Sequence, residues 1–129
     1  MIRVREGKVI ARLAARPGVT EILVEVDGSQ EKAINYDYLT GSVAAGDTVI
    51  LNTTAVDRKL GTGGYHYVMA NLSQRRLEAP PEGHIMKLRY TPCQVKVLAV
   101  EEDASPFAAL MRDAVSLQKT PVVIGTLHS

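Results

Sequence analysis

Residues 19–36 constrain the fold more than any other stretch. Ile22, Val24 and Val26 alternate with Glu21, Glu25 and Asp27, the period-two pattern of a strand with one buried face. Asp27-Gly28 follows, a pair that reaches positive φ at little cost and so suits a two-residue hairpin turn. Gln30–Tyr36 then reads as the return strand, with Glu31 and Lys32 keeping its exposed side polar.

The flanking sequence offers more strands and no helical period. Residues 2–13 read as a first strand, ending before Arg16-Pro17-Gly18. Residues 37–46 carry turn chemistry, with Gly41 and Gly46 near the ends. Thr48–Thr53 has few charges and suits a central strand. Leu60-Gly61-Thr62-Gly63-Gly64 is a loop, and Tyr65–Leu72 is a further strand. Five short strands argue for a small β-barrel or sandwich. We expect a barrel over residues 1–72.

The pattern changes afterwards. Residues 73–84 are polar and basic, contain Pro80-Pro81, and read as a linker or long loop. Ile85–Tyr90 and Gln94–Val100 read as strands interrupted by Pro92. Ser105-Pro106 opens a helix, since Ser caps and Pro suits the first helical position. Phe107, Leu110, Met111 and Ala114 recur at helical spacing, and Pro121 ends the run. Val122-Val123-Ile124 reads as a buried-type strand. Gln94–Ile124 is thus expected to be a β-α-β unit with a right-handed crossover, and residues 85–129 an incomplete segment of an α/β domain. The fold class expected is mainly β: a small amino-terminal β-barrel, then the start of an α/β unit. A strand of this kind normally runs into another helix, and none follows before Ser129. The expectation is therefore the front part of a larger protein, or a half completed by a partner.

Composition narrows the function classes. Of 129 residues, 46% are apolar, enough for one real core and a modest second element. Basic and acidic residues number 15 and 14, a net charge of +1 that disfavours nucleic acid as a partner. The one cysteine, Cys93, excludes an intrachain disulfide and a multi-cysteine zinc site, and points to the cytoplasm. No segment resembles a signal peptide or a membrane span.

The candidates for chemistry are few. Gly61, Gly63 and Gly64 could bring backbone N–H groups to a ligand. Their spacing matches neither the phosphate loop nor the dinucleotide fingerprint, and a strand rather than a helix follows. The plain reading is a connection that needs positive φ. Alternation puts Tyr65 and Tyr67 on one strand face and His66 on the other. Such a tyrosine pair stacks a base or a sugar, or else is core or partner surface. His66, His84 and Cys93 lack metal-ligand spacing, so no metal site is assigned. Asn35, Asn52 and Asn71 read as turn or ladder-end residues. At the strand ends of the carboxyl-terminal segment, Glu101, Glu102 and Asp103 would face Thr126, His128 and Ser129. Carboxylates beside a histidine can orient a metal or a base; the plain reading is a solvated helix entry.

Several strings resemble one family when read together. They are Glu31-Lys32-Ala33-Ile34-Asn35-Tyr36, Leu51-Asn52-Thr53-Thr54-Ala55, Gly61-Thr62-Gly63-Gly64-Tyr65-His66, Gly83 through Pro92, and Gly125-Thr126-Leu127-His128-Ser129. In order, they resemble an uncharacterised bacterial family, domain of unknown function 3866. The resemblance implies an amino-terminal part of longer proteins and brings no activity and no catalytic residue.

Three function classes follow. The favoured one is a non-enzymatic binding or assembly module, a homo-oligomer or the partner of a missing carboxyl-terminal domain. The second is part of a small-molecule or metal-dependent enzyme with its site near Glu102 and His128. The third is a barrel that binds nucleic acid weakly through Arg3, Arg5, Lys8, Arg12 and Arg16. Whether the chain is an enzyme, and with what cofactor, is open. The ligand-binding candidates are Gly61, Gly63, Gly64, Tyr65, His66, Glu102 and His128.

Overall fold

The computed structural model describes residues 1–74, 77 and 82–123. The chain divides into an amino-terminal unit, Met1–Glu78, and a carboxyl-terminal unit, Ala79–Ser129.

The amino-terminal unit is a closed barrel of five strands: β1 (Val4–Arg16), β2 (Val19–Val26), β3 (Ser29–Tyr36), β4 (Thr48–Asn52) and β5 (Tyr65–Asn71). Around the barrel the order is β1-β2-β3-β5-β4, and β4 returns to β1. All neighbours are antiparallel except β3 and β5, which run parallel over Lys32–Ile34 and Tyr65–Tyr67. This is a five-stranded Greek-key barrel of the OB type.

The local chemistry agrees with the pattern. Asp27 and Gly28 both take positive φ, 49° and 80°, and Val26 pairs with Ser29 across the tight turn. Ile22, Val24 and Val26 are essentially inaccessible, as alternation requires. With Val9, Val49 and Leu51 they fill the interior. Each such side chain contributes about 1.5–3 kcal/mol by leaving water.

β1 is longer than the 2–13 expected. Two register irregularities, between Val9 and Ala11 and between Arg12 and Ala14, bend it. Val4–Lys8 pairs with β4, while Lys8–Arg16 pairs with β2. At Gly7 the barrel wall is so close that a Cβ would lie 2.7 Å from the Leu51 Cδ1. A side chain there would have to displace the buried Leu51 methyl.

Two short helical turns interrupt stretches read as loop or strand end: α1 (Asp37–Thr40) and α2 (Thr54–Asp57). Both are single turns, too short to leave a hydrophobic period in the sequence. A buried polar network sits beside α1. The Asn35 amide donates to the Asp37 Oδ1 at 2.7 Å and to the Gly41 carbonyl at 2.8 Å. It accepts the Thr40 hydroxyl at 2.6 Å. Asn71 likewise donates to the Ser42 carbonyl and the Asp47 carboxylate. Asn52 accepts the Thr54 N–H. All three asparagines lie at strand ends, holding the connections in place.

The carboxyl-terminal unit has β6 (Ile85–Lys87), β7 (Val95–Val97) and α3 (Ala108–Asp113). β6 and β7 form an antiparallel two-stranded sheet. The expected β-α-β segment is present only loosely. Both strands are shorter than the sequence pattern suggests. The helix starts later than Ser105-Pro106 suggests: Phe107 is its N-cap and no side chain caps it, while the Ser105 hydroxyl accepts the Phe107 N–H at 3.2 Å in a local turn ahead of the helix. The helix ends at Asp113, well before Pro121, and Ala114 is extended. Val115 and Ser116 follow, residue types that weaken helices, and the Ser116 hydroxyl accepts the Gln118 N–H instead. Val122 and Val123 lie in no strand, and Ile124 falls outside the described residues.

Candidate functional site

The residues singled out in the sequence fall in three places. Gly61, Gly63, Gly64, Tyr65 and His66 are contiguous, in the β4–β5 connection and the start of β5. Glu102 belongs to the other unit. His128, with Thr126 and Ser129, lies outside the described residues.

The glycine loop is a turn with its own bonds. Gly63 and Gly64 take positive φ, 66° and 81°. The Thr62 hydroxyl donates to the Tyr65 carbonyl, and the Tyr65 N–H donates to the Thr62 carbonyl. Gly61 and Gly64 have open space where a side chain would stand. The glycines thus shape the entry to β5, the plain reading of this loop.

From there β5 alternates as expected. His66 points into the barrel and is 1% exposed. Its Nε2 lies 2.7 Å from the Glu31 Oε2. A carboxylate only accepts, so Nε2 carries the proton. The Nδ1 has no hydrogen-bond partner among the described residues. Tyr65 and Tyr67 face outward and are half-buried. They do not stack on each other. The Tyr65 hydroxyl donates to the Glu21 Oε2 at 3.1 Å. That bond, the charge on Glu21 and partial burial together raise the Tyr65 pKa. Tyr67 instead stacks on Tyr36, with centroids 6.2 Å apart and planes 6° from parallel.

The register brings a wider face together. Moving from β1 to β5, one outward row holds Arg16, Val19 and Tyr36. The next holds Ala14, Glu21, Ile34 and Tyr67, and a third Ala11, Leu23, Lys32 and Tyr65. The Lys32 Nζ lies 5.8 Å from the Tyr65 ring centre, within cation–π range. Tyr36 is 43% exposed. A shallow groove of about 160 Å³ runs along Ala14, Ala15, Arg16, Val19 and Glu21. Beyond Tyr36, Tyr38 lies against Gly18, where a Cβ would collide with its ring. On this face, Arg16 was singled out in the sequence only as one of five basic residues along the first strand, and Lys32 and Tyr36 not at all. The parallel β3–β5 contact that joins Tyr36 to Tyr67 bridges distant segments, and no local pattern announces it. The outward alternation of Lys32, Ile34 and Tyr36 is the signal that points to them.

Two of the five basic residues expected along the first strand are already engaged in ion pairs. Arg3 and Arg5 are paired with Asp57, and Arg5 also with Asp27. Partial burial pulls the Asp57 pKa upward, but the Thr53 hydroxyl and the two guanidinium groups outweigh it and hold the carboxyl below its usual range.

Glu102 is a clamp within its own unit. Its Oε1 accepts the His84 N–H at 2.6 Å and its Oε2 the Ala99 N–H at 2.7 Å. The Ala99 amide is the largest cause of its lowered pKa; burial opposes it, and the His84 contacts reinforce it. Both oxygens are thus occupied by backbone. His66 lies in the barrel, whereas His84 and Cys93 lie in the other unit. No group of three or more metal-ligating side chains is present among the described residues. Among them, too, no helix is long and apolar enough to cross a membrane.

No curated protein and no solved structure matches this chain. The family model described as protein of unknown function (DUF3866) matches residues 32–129, starting inside β3 and running through the carboxyl-terminal unit. That match spans most of the sequence, and the chain therefore belongs to the DUF3866 family.

Proposed function

We propose that this protein is a non-enzymatic binding module that engages its partner through the outer face of β1, β2, β3 and β5. The observation that carries the reading is the stacked Tyr36–Tyr67 pair, standing outward beside Ile34 and Lys32 on a rigid closed barrel. Tyrosines and cations on a firm platform are the residue types that recognition surfaces use. Barrels of this strand order bind extended polymers on the corresponding face, a fold-level analogy in agreement with the residues. The occupied carboxylate of Glu102 favours a structural role for that residue over a catalytic one.

The test is an amide NMR titration of the full chain with a six-nucleotide oligothymidylate, with cellohexaose, and by self-dilution. Shifts confined to Val19–Leu23, Lys32–Tyr36 and Tyr65–Tyr67 under any one of these support the reading. A face that stays silent under all three sinks it.

A second reading concerns the carboxyl-terminal unit. Leu110 and Val115 are 67% and 98% exposed, with Phe107 and Met111 also uncovered. Such apolar surface favours assembly with a second copy. Light scattering across a hundredfold dilution decides it, and a monomer throughout counts against it. An exposed free thiol at Cys93 is in keeping with a reducing, cytoplasmic setting.

A further inference from the structure

We infer that the partner on the outer barrel face is a short single-stranded stretch of nucleic acid, its bases stacking on Tyr36 and Tyr67 and its phosphates meeting Arg16 and Lys32. This rests on the reading that the face binds a partner, and it names the class.

Size is the first argument. Four strands spaced about 4.8 Å apart and three outward rows make a face on the order of 200 Å². A face of that width suits an extended chain crossing the strands.

Charge is the second. The net charge of +1 describes the whole chain and not this face. Its three rows hold two cations, Arg16 on β1 and Lys32 on β3, and a single carboxylate, Glu21. Glu21 accepts the Tyr65 hydroxyl. Arg16 is exposed and makes no ion pair among the described residues. An oligosaccharide would call for carboxylates and amides facing its hydroxyls. Here two cations stand against one carboxylate, which already accepts the Tyr65 hydroxyl, so the face is net positive and favours an anionic chain.

Stacking is the third. Every base has a π-face, so a tyrosine ledge accepts any sequence. Tyr36 lies in the same cross-strand row as Arg16, separated by Val19. A base on Tyr36 therefore brings its own phosphate toward the Arg16 end of the groove.

The experiment uses the full chain and fluorescein-labelled oligothymidylate of ten nucleotides, read by anisotropy from 20 to 500 mM NaCl. Two phosphate contacts on a single strand predict a slope of about −1.4 in log K against log salt, and Arg16→Ala should flatten it by about 0.7. Tyr36→Ala should weaken binding by about five- to hundredfold. Tyr67 is half-buried, so Tyr67→Phe, which keeps the ring, is the control and should bind within about twofold of wild type. No binding at 20 mM NaCl, or binding indifferent to both Tyr36→Ala and Arg16→Ala, overturns the inference. If the oligonucleotide fails while cellohexaose or self-dilution still shifts the face amides, the nucleic-acid assignment falls and the binding face stands. Should nothing reach the face, both fall together.

Discussion

Val24 and Val115 are the same side chain in opposite circumstances. Val24 is 0% exposed inside the barrel, and Val115 is 98% exposed beyond α3. The barrel closes on itself, so each of its strands covers the others' apolar faces and no edge is left over. The carboxyl-terminal unit has one short hairpin and one short helix among its described residues, and most of its large apolar side chains stand uncovered. Closure makes a core self-sufficient. Helical spacing at Phe107, Leu110, Met111 and Ala114 shows only that a face is apolar and leaves open what it meets.

The largest effect that tests this contrast comes from truncating one leucine in each unit, buried Leu51 and exposed Leu110. Leu51→Ala should cost about 2–5 kcal/mol in chemical denaturation. Leu110→Ala should stay within about 0.5 kcal/mol. An equally large loss at Leu110 would mean that α3 is covered in solution, and the contrast would be broken.

Next in size is the polar network beside α1. Asn35→Ala removes the donor to Asp37 and Gly41 and the acceptor for Thr40. Leaving such groups buried and unpaired should cost about 1–3 kcal/mol. A loss near zero would show that water replaces the amide and that this end of the barrel is open.

The smallest effect is acid sensitivity, and it touches both units. Asp57 and Glu102 are held below their ordinary values of 3.8 and 4.5. A depressed carboxyl contributes stability that is complete above its unfolded value and fades as pH falls through the folded one. Carboxyl-carbon NMR should therefore give Glu102 a midpoint below 4.5. His84→Ala keeps the backbone donor, so the midpoint should remain depressed. A midpoint at or above the ordinary value would remove the clamp.

How legible each region was follows from the same contrast. Val24, Asp27 and Gly28 act through neighbours one or two positions away, so alternation and turn chemistry sufficed for the hairpin. The strand order did not follow, because β3 meets β5 across residues 37–64 and nothing in either strand encodes that meeting. The tyrosine face shows both limits. The outward directions of Tyr67 and Tyr36 were both readable from alternation, while their meeting across β3 and β5 was not. α3 fell short of its predicted length because helical spacing marks the apolar face, whereas Val115 and Ser116 decide where the turn unwinds.

The double duty of β1 has a kinetic consequence. The β1–β2 and β2–β3 ribbons join near neighbours, and their chain closures are short. The seam from Val4 with Asn52 to Lys8 with Thr48 joins positions 48 and 40 apart by subtraction of their residue numbers. Its loop-closure entropy must be met before any seam contact rewards it. Refolding should therefore assemble the three-stranded meander first and shut the seam last. Val49→Ala would then mainly speed unfolding, while Val24→Ala would slow folding, and a pair of chevron plots separates the two. A barrel with no edge in its native state thus passes through a moment when β1 and β4 are both bare, and that moment sets its exposure to aggregation.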